Sequence, residues 1–243
     1  MAAVYRMSSS IRIFRTSKSS GLRFWIEQNN AELRAEPGPV KPTDLTKINK
    51  YHEARIRTYG PQSPMALGWN TRKSQEVRFE VLSGIADLSD HSVLDIGCGR
   101  GDLKAYLGER FPGISYTGIE QNETFFNLAI QKYGHLPHTR FICSNFWTDE
   151  VPAADYILVS GSLNYKNSDP GFVYKMIRKL YESCTCALGF NLLSSIGYPP
   201  LDLCAYKPEV ILLFCQTLSA HVEIRDGYQE GDYSVYMYKT ETS

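Results

Sequence analysis

Charge of one sign is what this sequence lacks in excess: 26 lysines and arginines stand against 26 aspartates and glutamates in 243 residues. Without net charge there is no global attraction to a phosphate backbone or an anionic bilayer, so neither nucleic-acid nor membrane binding is expected. Nor does any apolar run approach the roughly 20 residues that a transmembrane helix needs. The six cysteines, Cys98, Cys143, Cys184, Cys186, Cys204 and Cys215, include no C-x-x-C pair and mostly sit in apolar runs. They read as free thiols of a reducing compartment, which suits a cytoplasmic protein, and not as disulfides or a metal site. The five histidines are scattered, with His135 and His138 in a Pro-containing loop, and suggest no metal cluster.

Acid is also missing from the first 26 residues, which carry Arg6, Arg12, Arg15, Lys18 and Arg23 among many serines. That composition fits either an organellar transit segment, which would make the location mitochondrial, or an ordinary basic extension. Pro37, Pro39 and Pro42 then read as a linker. From Asp44 a helical pattern begins, with Leu45, Ile48 and Tyr51 on one face and Tyr51, Arg55 and Tyr59 at four-residue spacing, ending at Gly60. Pro61 to Gly68 reads as a loop. Asn70 or Thr71 caps a second helix, whose Val77, Val81, Ile85 and Leu88 recur on one face.

After residue 91 short apolar runs alternate with helical patterns. Strands are expected at Ser92–Ile96, Ser115–Ile119, Arg140–Cys143, Tyr156–Val159 and Cys186–Leu192, and helices at Asp102–Arg110, Glu123–Tyr133, Phe172–Glu182 and Glu209–Leu218. Such alternation implies a parallel sheet covered by helices on both faces, that is, a doubly wound α/β fold. Val222–Arg225 and Tyr233–Lys239, separated by Gly227 and Gly231, close the chain as a hairpin. The segment between the third and fourth strands is too short for a full helix.

The first strand runs into V-L-D-I-G-C-G-R-G-D, with glycines at 97, 99 and 101. Each glycine weakens a regular element, so three at a strand-to-helix turn point to close backbone approach of a ligand, beside the N–H groups that open the next helix. A dinucleotide fingerprint G-x-G-x-x-G would need a small third residue where Asp102 stands. Asp95, two residues before the first glycine, suits a cationic ligand better than a pyrophosphate.

These residues resemble the first motif, D-x-G-x-G-x-G, of the class I S-adenosylmethionine-dependent methyltransferases, matched at Asp95, Gly97, Gly99 and Gly101. The resemblance implies a mostly parallel seven-stranded sheet with an antiparallel last strand, and the two amphipathic helices before the glycine turn, the spare sequence available to cover its open edge, are expected to form an N-terminal helical cap. Together they divide the chain into an extension and linker over 1–42, the cap over 43–90 and a cofactor-binding core over 91–243. The resemblance implies S-adenosylmethionine as cofactor, held by the glycine turn with Cys98, and by Glu120, which takes both ribose hydroxyls, with Gln121 beside it. Where many members carry an aspartate for the adenine amino group, this chain has Asn145, whose carbonyl accepts the same bond, followed by Phe146. Ser160 and Gly161 would lie near the methionine end. Asn164 and Tyr165 would face the methyl, with Tyr165 orienting an acceptor, shielding the sulfonium or simply packing. Asn191 and Tyr198 are weaker candidates.

In the expected cap, Tyr59 and Trp69 wall the methyl and Arg72 pairs with the cofactor carboxylate. No Asn/Asp-Pro-Pro-Tyr/Phe run, the mark of amino-methylating nucleic-acid enzymes of the family, follows the fourth strand. The expected activity is therefore direct methyl transfer to a small molecule. Protein or RNA methylation, or a cofactor-binding partner subunit without activity, are the alternatives.

Overall fold

Val93, Leu94 and Ile96 are all essentially inaccessible, as a central strand covered on both faces requires. The strand to which they belong organises the fold. In the computed structural model of the chain, residues 42–197 and 202–239 are described. The basic N-terminal segment and Tyr198 lie outside the described residues.

Helix α1 (Pro42–Tyr59) is followed by a short 3-10 turn (Pro64–Leu67) and helix α2 (Arg72–Ser83). Strands β1 (Ser92–Ile96), β2 (Ser115–Glu120), β3 (Thr139–Cys143), β4 (Ala154–Val159) and β5 (Cys184–Leu193) then alternate with helices. These are α3 (Asp102–Gly108), α4 (Glu123–Tyr133), α5 (Phe172–Ser183) and α6 (Pro208–Gln216), before the final strands β6 (His221–Asp226) and β7 (Asp232–Tyr238). Among the described residues no helix joins β3 to β4, in keeping with the short segment there.

The seven strands lie in the order β3-β2-β1-β4-β5-β7-β6. Neighbours from β3 to β5 pair in parallel, while β7 runs antiparallel to both β5 and β6. This is the doubly wound, mostly parallel sheet that the alternation implied. Successive strand residues face opposite layers, so Leu94, Ile96, Ile157 and Val159 join a core with α5 and α6. Val93, Tyr156 and Leu158 instead pack with Phe79 of α2 and Leu103 and Leu107. The chain leaves β1 toward β2 and β3 and then crosses back to β4. The crevice beyond the carboxyl ends of β1 and β4 is thus a switch point, where open α/β sheets bind ligands.

Of the two capping candidates, Thr71 caps α2, exchanging side-chain and backbone bonds with Ser74 in a capping box, while one detail of this helix differs from the periodic pattern. The helix ends at Gly84, whose N–H turns back to Val81 and Leu82, so Ile85 and Leu88 are buried from a turn beyond it and not from its face.

Candidate active site

The glycine turn is held by β2 and by an acid. The N–H groups of Gly97 and Cys98 both reach the Ile119 carbonyl (2.9 and 3.0 Å), and Gly101 N–H closes on Cys98 O at 3.0 Å. Gly99 N–H donates to Glu120 Oε2 at 2.8 Å, and the other carboxylate oxygen accepts from Asn122 N–H at 2.7 Å. All three glycines have positive φ (69°, 55° and 76°), and a Cβ at Gly97 or Gly99 would lie 2.7 Å from Ser162 or 2.8 Å from Leu67. What these glycines give is therefore tight contact with the loop after β4 and with the 3-10 turn. The amides of residues 97, 98, 99 and 101 are used internally, and the seven-residue α3 starts without a side-chain cap. Open amides at this turn, expected from the sequence, are therefore fewer than the motif suggested.

Two buried carboxyls lie beside the turn. Asp95 accepts the Tyr116 hydroxyl at 2.6 Å and is 2% exposed. Burial raises its pKa to about 7 against the opposing Tyr116 hydrogen bond, with Glu120 and Asp102 adding to the rise. Glu120 is raised too, mainly by burial, and the N–H groups of Asn122, Gly99 and Gln121 pull it back. A cation arriving here would meet groups ready to ionise.

Beyond the strand ends opens a cavity of about 940 Å³ lined by Asp95, Gly97, Cys98, Gly99, Glu120, Gln121, Ser160 and Gly161. Its opposite wall comes from the N-terminal segment: Tyr51, His52, Arg55 and Tyr59 of α1, Trp69, and Gln75 and Arg78 of α2. Trp69 lies against Gly161, where an added Cβ would meet the indole at 2.7 Å, and the Arg78 guanidinium lies over the indole ring at 4.9 Å. Gly161 N–H in turn donates to Asn191 Oδ1 at 2.8 Å. Arg78 forms a buried ion pair with Asp232 at the start of β7.

Most expected positions converge on this cavity, and four do not: Gly101, where an added Cβ would meet Tyr133 and Phe141, and Asn145, Phe146 and Arg72. Asn164 lines it, but its Oδ1 accepts Leu193 N–H at 2.9 Å, a bond that pins the end of β5. Tyr165 lines it with its hydroxyl on His52 Nε2 at 2.8 Å. Asn145 lies outside, because its side chain folds back as a turn to accept Trp147 N–H at 3.1 Å. Phe146 is buried in the core, and Trp147 takes the lining position instead. Arg72 is also outside: its side chain is 82% exposed and paired with Glu76 on its own helix. Arg78, six residues on, is the arginine of α2 that lines the cavity, with Arg55 of α1. His52, Gln75 and Trp147 were missed from sequence. His52 sits one position beyond Tyr51 in an ordinary amphipathic pattern and gave no signal of its own.

The sequence model of a family described as a methyltransferase domain matches residues 94–183. Residues 94–183 thus carry a methyltransferase domain, on the fold of the class I S-adenosylmethionine-dependent methyltransferases. It is 28% identical over 105 residues, 42% of its length, to a trans-aconitate 2-methyltransferase of Delftia acidovorans. It is 31% identical over 87 residues, 35% of its length, to the tetracenomycin polyketide synthesis 8-O-methyl transferase TcmO of Streptomyces glaucescens. These stretches span 38% and 26% of those proteins. The fold resembles magnesium protoporphyrin IX methyltransferase (ChlM) from Synechocystis PCC 6803 with bound SAH, at a TM-score of 0.55 and 14% identity, over 91% of this chain and 95% of that one.

The cavity fits S-adenosylmethionine, the cofactor of that family. Gln121 Oε1, Ser160 Oγ and Trp147 Nε1 are buried without a hydrogen-bond partner in the protein, and all three residues line the cavity. Buried polar atoms are rarely left unpaired, so an acceptor, a hydroxyl and a donor on one wall suit a polar ligand. No described helix is long and apolar enough to cross a membrane.

Proposed function

We propose that the protein transfers a methyl group from S-adenosylmethionine to a small-molecule acceptor. One observation carries this reading: the acid-tied glycine turn opens onto a cavity whose wall holds three unpaired polar atoms. In this reading Glu120, Gln121, Ser160 and Trp147 hold the cofactor beside Gly97 and Gly99, with Gly101 shaping the turn behind them. Asp95 and Glu120 supply negative charge for its cationic centre. Bound there, S-adenosylmethionine supplies an electrophilic methyl group on a sulfonium sulfur. Residues 43–90 act as a cap over the core of residues 91–243, with Tyr59 and Trp69 excluding water from the reacting atoms. Positioning alone is worth several kcal/mol in such a displacement. A cavity of about 940 Å³ is of the size that small-molecule sites occupy. The cysteines of the described residues are all free, which supports a reducing compartment such as the cytoplasm.

The test is calorimetric titration with S-adenosylmethionine, followed by incubation with the methyl-labelled cofactor and a metabolite extract. Label in a small molecule supports the reading. Label only in protein or RNA replaces it with macromolecular methylation, and binding without transfer replaces it with a sensor or partner-subunit role.

A further inference from the structure

His52 and Tyr165 form a hydrogen-bonded pair on the cavity wall. His52 Nδ1 lies 3.0 Å from the Ala66 carbonyl, which only accepts, so Nδ1 carries the proton of the neutral ring. Nε2 is then the free lone pair, and the Tyr165 hydroxyl, 2.8 Å away, donates to it. The ring is clamped from the sides by Tyr51 of α1 (5.1 Å, edge-on) and Phe125 of α4 (5.4 Å, edge-on). Its tautomer and orientation are thereby fixed in the way that positions a general base.

Resting on the methyl-transfer reading, we propose that His52 is the general base of the reaction, reached through the Tyr165 hydroxyl, and that the acceptor is a phenol. As the phenolic oxygen attacks the methyl carbon, the O–CH3 bond forms and the sulfur keeps the electron pair of the breaking bond. The phenolic proton passes to Tyr165 Oη while the Tyr165 proton moves to His52 Nε2, leaving an imidazolium whose Nδ1–H stays on Ala66 O.

Several features support this assignment. Burial lowers the pKa of His52, opposed by the Ala66 carbonyl and reinforced by the Arg55 charge, so the ring is neutral near pH 7. Burial raises that of Tyr165, with Tyr51 and Glu120 adding to the rise and Arg55 opposing it. Tyr165 is therefore no base by itself and must pass its proton on. A carboxylate acceptor needs no base but does need a cation. Of the two arginines among the described lining residues, Arg78 is neutralised by Asp232, and Arg55 is held back against the Met65 carbonyl and the rings of Tyr51 and Tyr59 on α1. Tyr51, Tyr59, Trp69 and Leu203 add apolar lining to the cavity beside the pair.

The experiment uses the full chain with S-adenosylmethionine and shape-matched probes: 2-naphthol, 2-naphthoate and 2-naphthylamine, with 1-nitro-2-naphthol as a phenol largely ionised at pH 8. Wild type is expected to methylate 2-naphthol, with kcat rising to a plateau as His52 deprotonates below pH 6.5. His52→Gln should lose about 100-fold or more on 2-naphthol, yet less than threefold on the pre-ionised nitro compound, with cofactor affinity unchanged by calorimetry. Turnover of the carboxylate or amine without the phenol, turnover of no probe, or an equal loss on both phenols overturns the proposal. Imidazole 15N NMR of the cofactor-free protein, assigned by the signal lost in His52→Gln, adds a readout independent of turnover. It should show the Nδ1-protonated neutral ring at pH 7 and a higher titration midpoint in Tyr165→Phe, because a donor to the neutral ring has been removed. A charged ring at pH 7, or an unmoved midpoint, overturns the pair. Failure of wild type to bind S-adenosylmethionine instead overturns the methyl-transfer reading on which this one rests.

Discussion

Glu120 Oε2 accepts the Gly99 N–H at 2.8 Å, so the acid that lines the cavity is also the acid that holds the glycine turn in shape. The two duties predict a double effect. Glu120→Ala should weaken S-adenosylmethionine binding by roughly 1.5–3 kcal/mol, from lost charge-assisted hydrogen bonds, and should also lower the melting temperature because Gly99 and Asn122 lose their acceptor. Calorimetry and thermal denaturation of the same sample measure both. Unchanged affinity in a folded variant would remove Glu120 from the cofactor site.

Asp95 makes a pH prediction. Its folded pKa of about 7 lies above the ordinary carboxyl value of 3.8, so the folded state holds a proton that the unfolded chain has released over that interval. Its contribution to stability is full below pH 3.8 and is lost as the pH rises through 7. Asp95→Asn keeps an acceptor for Tyr116 and removes the charge. The variant should match wild type near pH 4 and exceed it increasingly up to pH 8, by at most about 4 kcal/mol. Denaturant titrations at the two pH values decide it, and equal differences at both would refute the assignment.

Two arginines of one helix should behave in opposite ways. Arg78→Met strands Asp232 as a buried carboxylate and should cost about 3–5 kcal/mol in urea denaturation. Arg72→Ala breaks only an exposed pair within a helix, so stability should move by less than about 0.5 kcal/mol, with cofactor affinity unchanged. A marked loss of affinity in Arg72→Ala would restore that residue to the site.

Gly161→Ala tests the contact between the loop after β4 and the N-terminal segment. The position has φ of +78° and an added Cβ would meet the Trp69 ring at 2.7 Å. The variant should lose about 1–2 kcal/mol from the left-handed backbone alone and displace the indole from its seat beside Arg78. Trp69 fluorescence, isolated by difference against Trp69→Phe, should change. Spectra that do not move would show that the ring is not held by Gly161.

The sequence by itself determined what depends on near neighbours. The alternation of apolar runs with helical patterns gave all seven strands and the four core helices to within a few residues at each end, because burial on two faces writes a local period. The acid-and-glycine turn was equally legible, since positive φ at alternate residues is a local demand that glycine meets most readily. Tertiary structure decided the rest. Whether Asn145 or Trp147 lines the cavity depends on which way one turn folds, and Asn145 satisfies itself with Trp147 N–H. Arg72 and Arg78 look alike in the chain, and only the packing of α2 against β7, 154 residues away, buries one and leaves the other in solvent. His52 and Tyr165 lie 113 residues apart, and although Tyr165 is expected at the site from its place after β4, no local pattern marks His52 or its pairing. Their pairing exists because α1 folds across the ends of the strands, and such long-range closure leaves no period in the sequence.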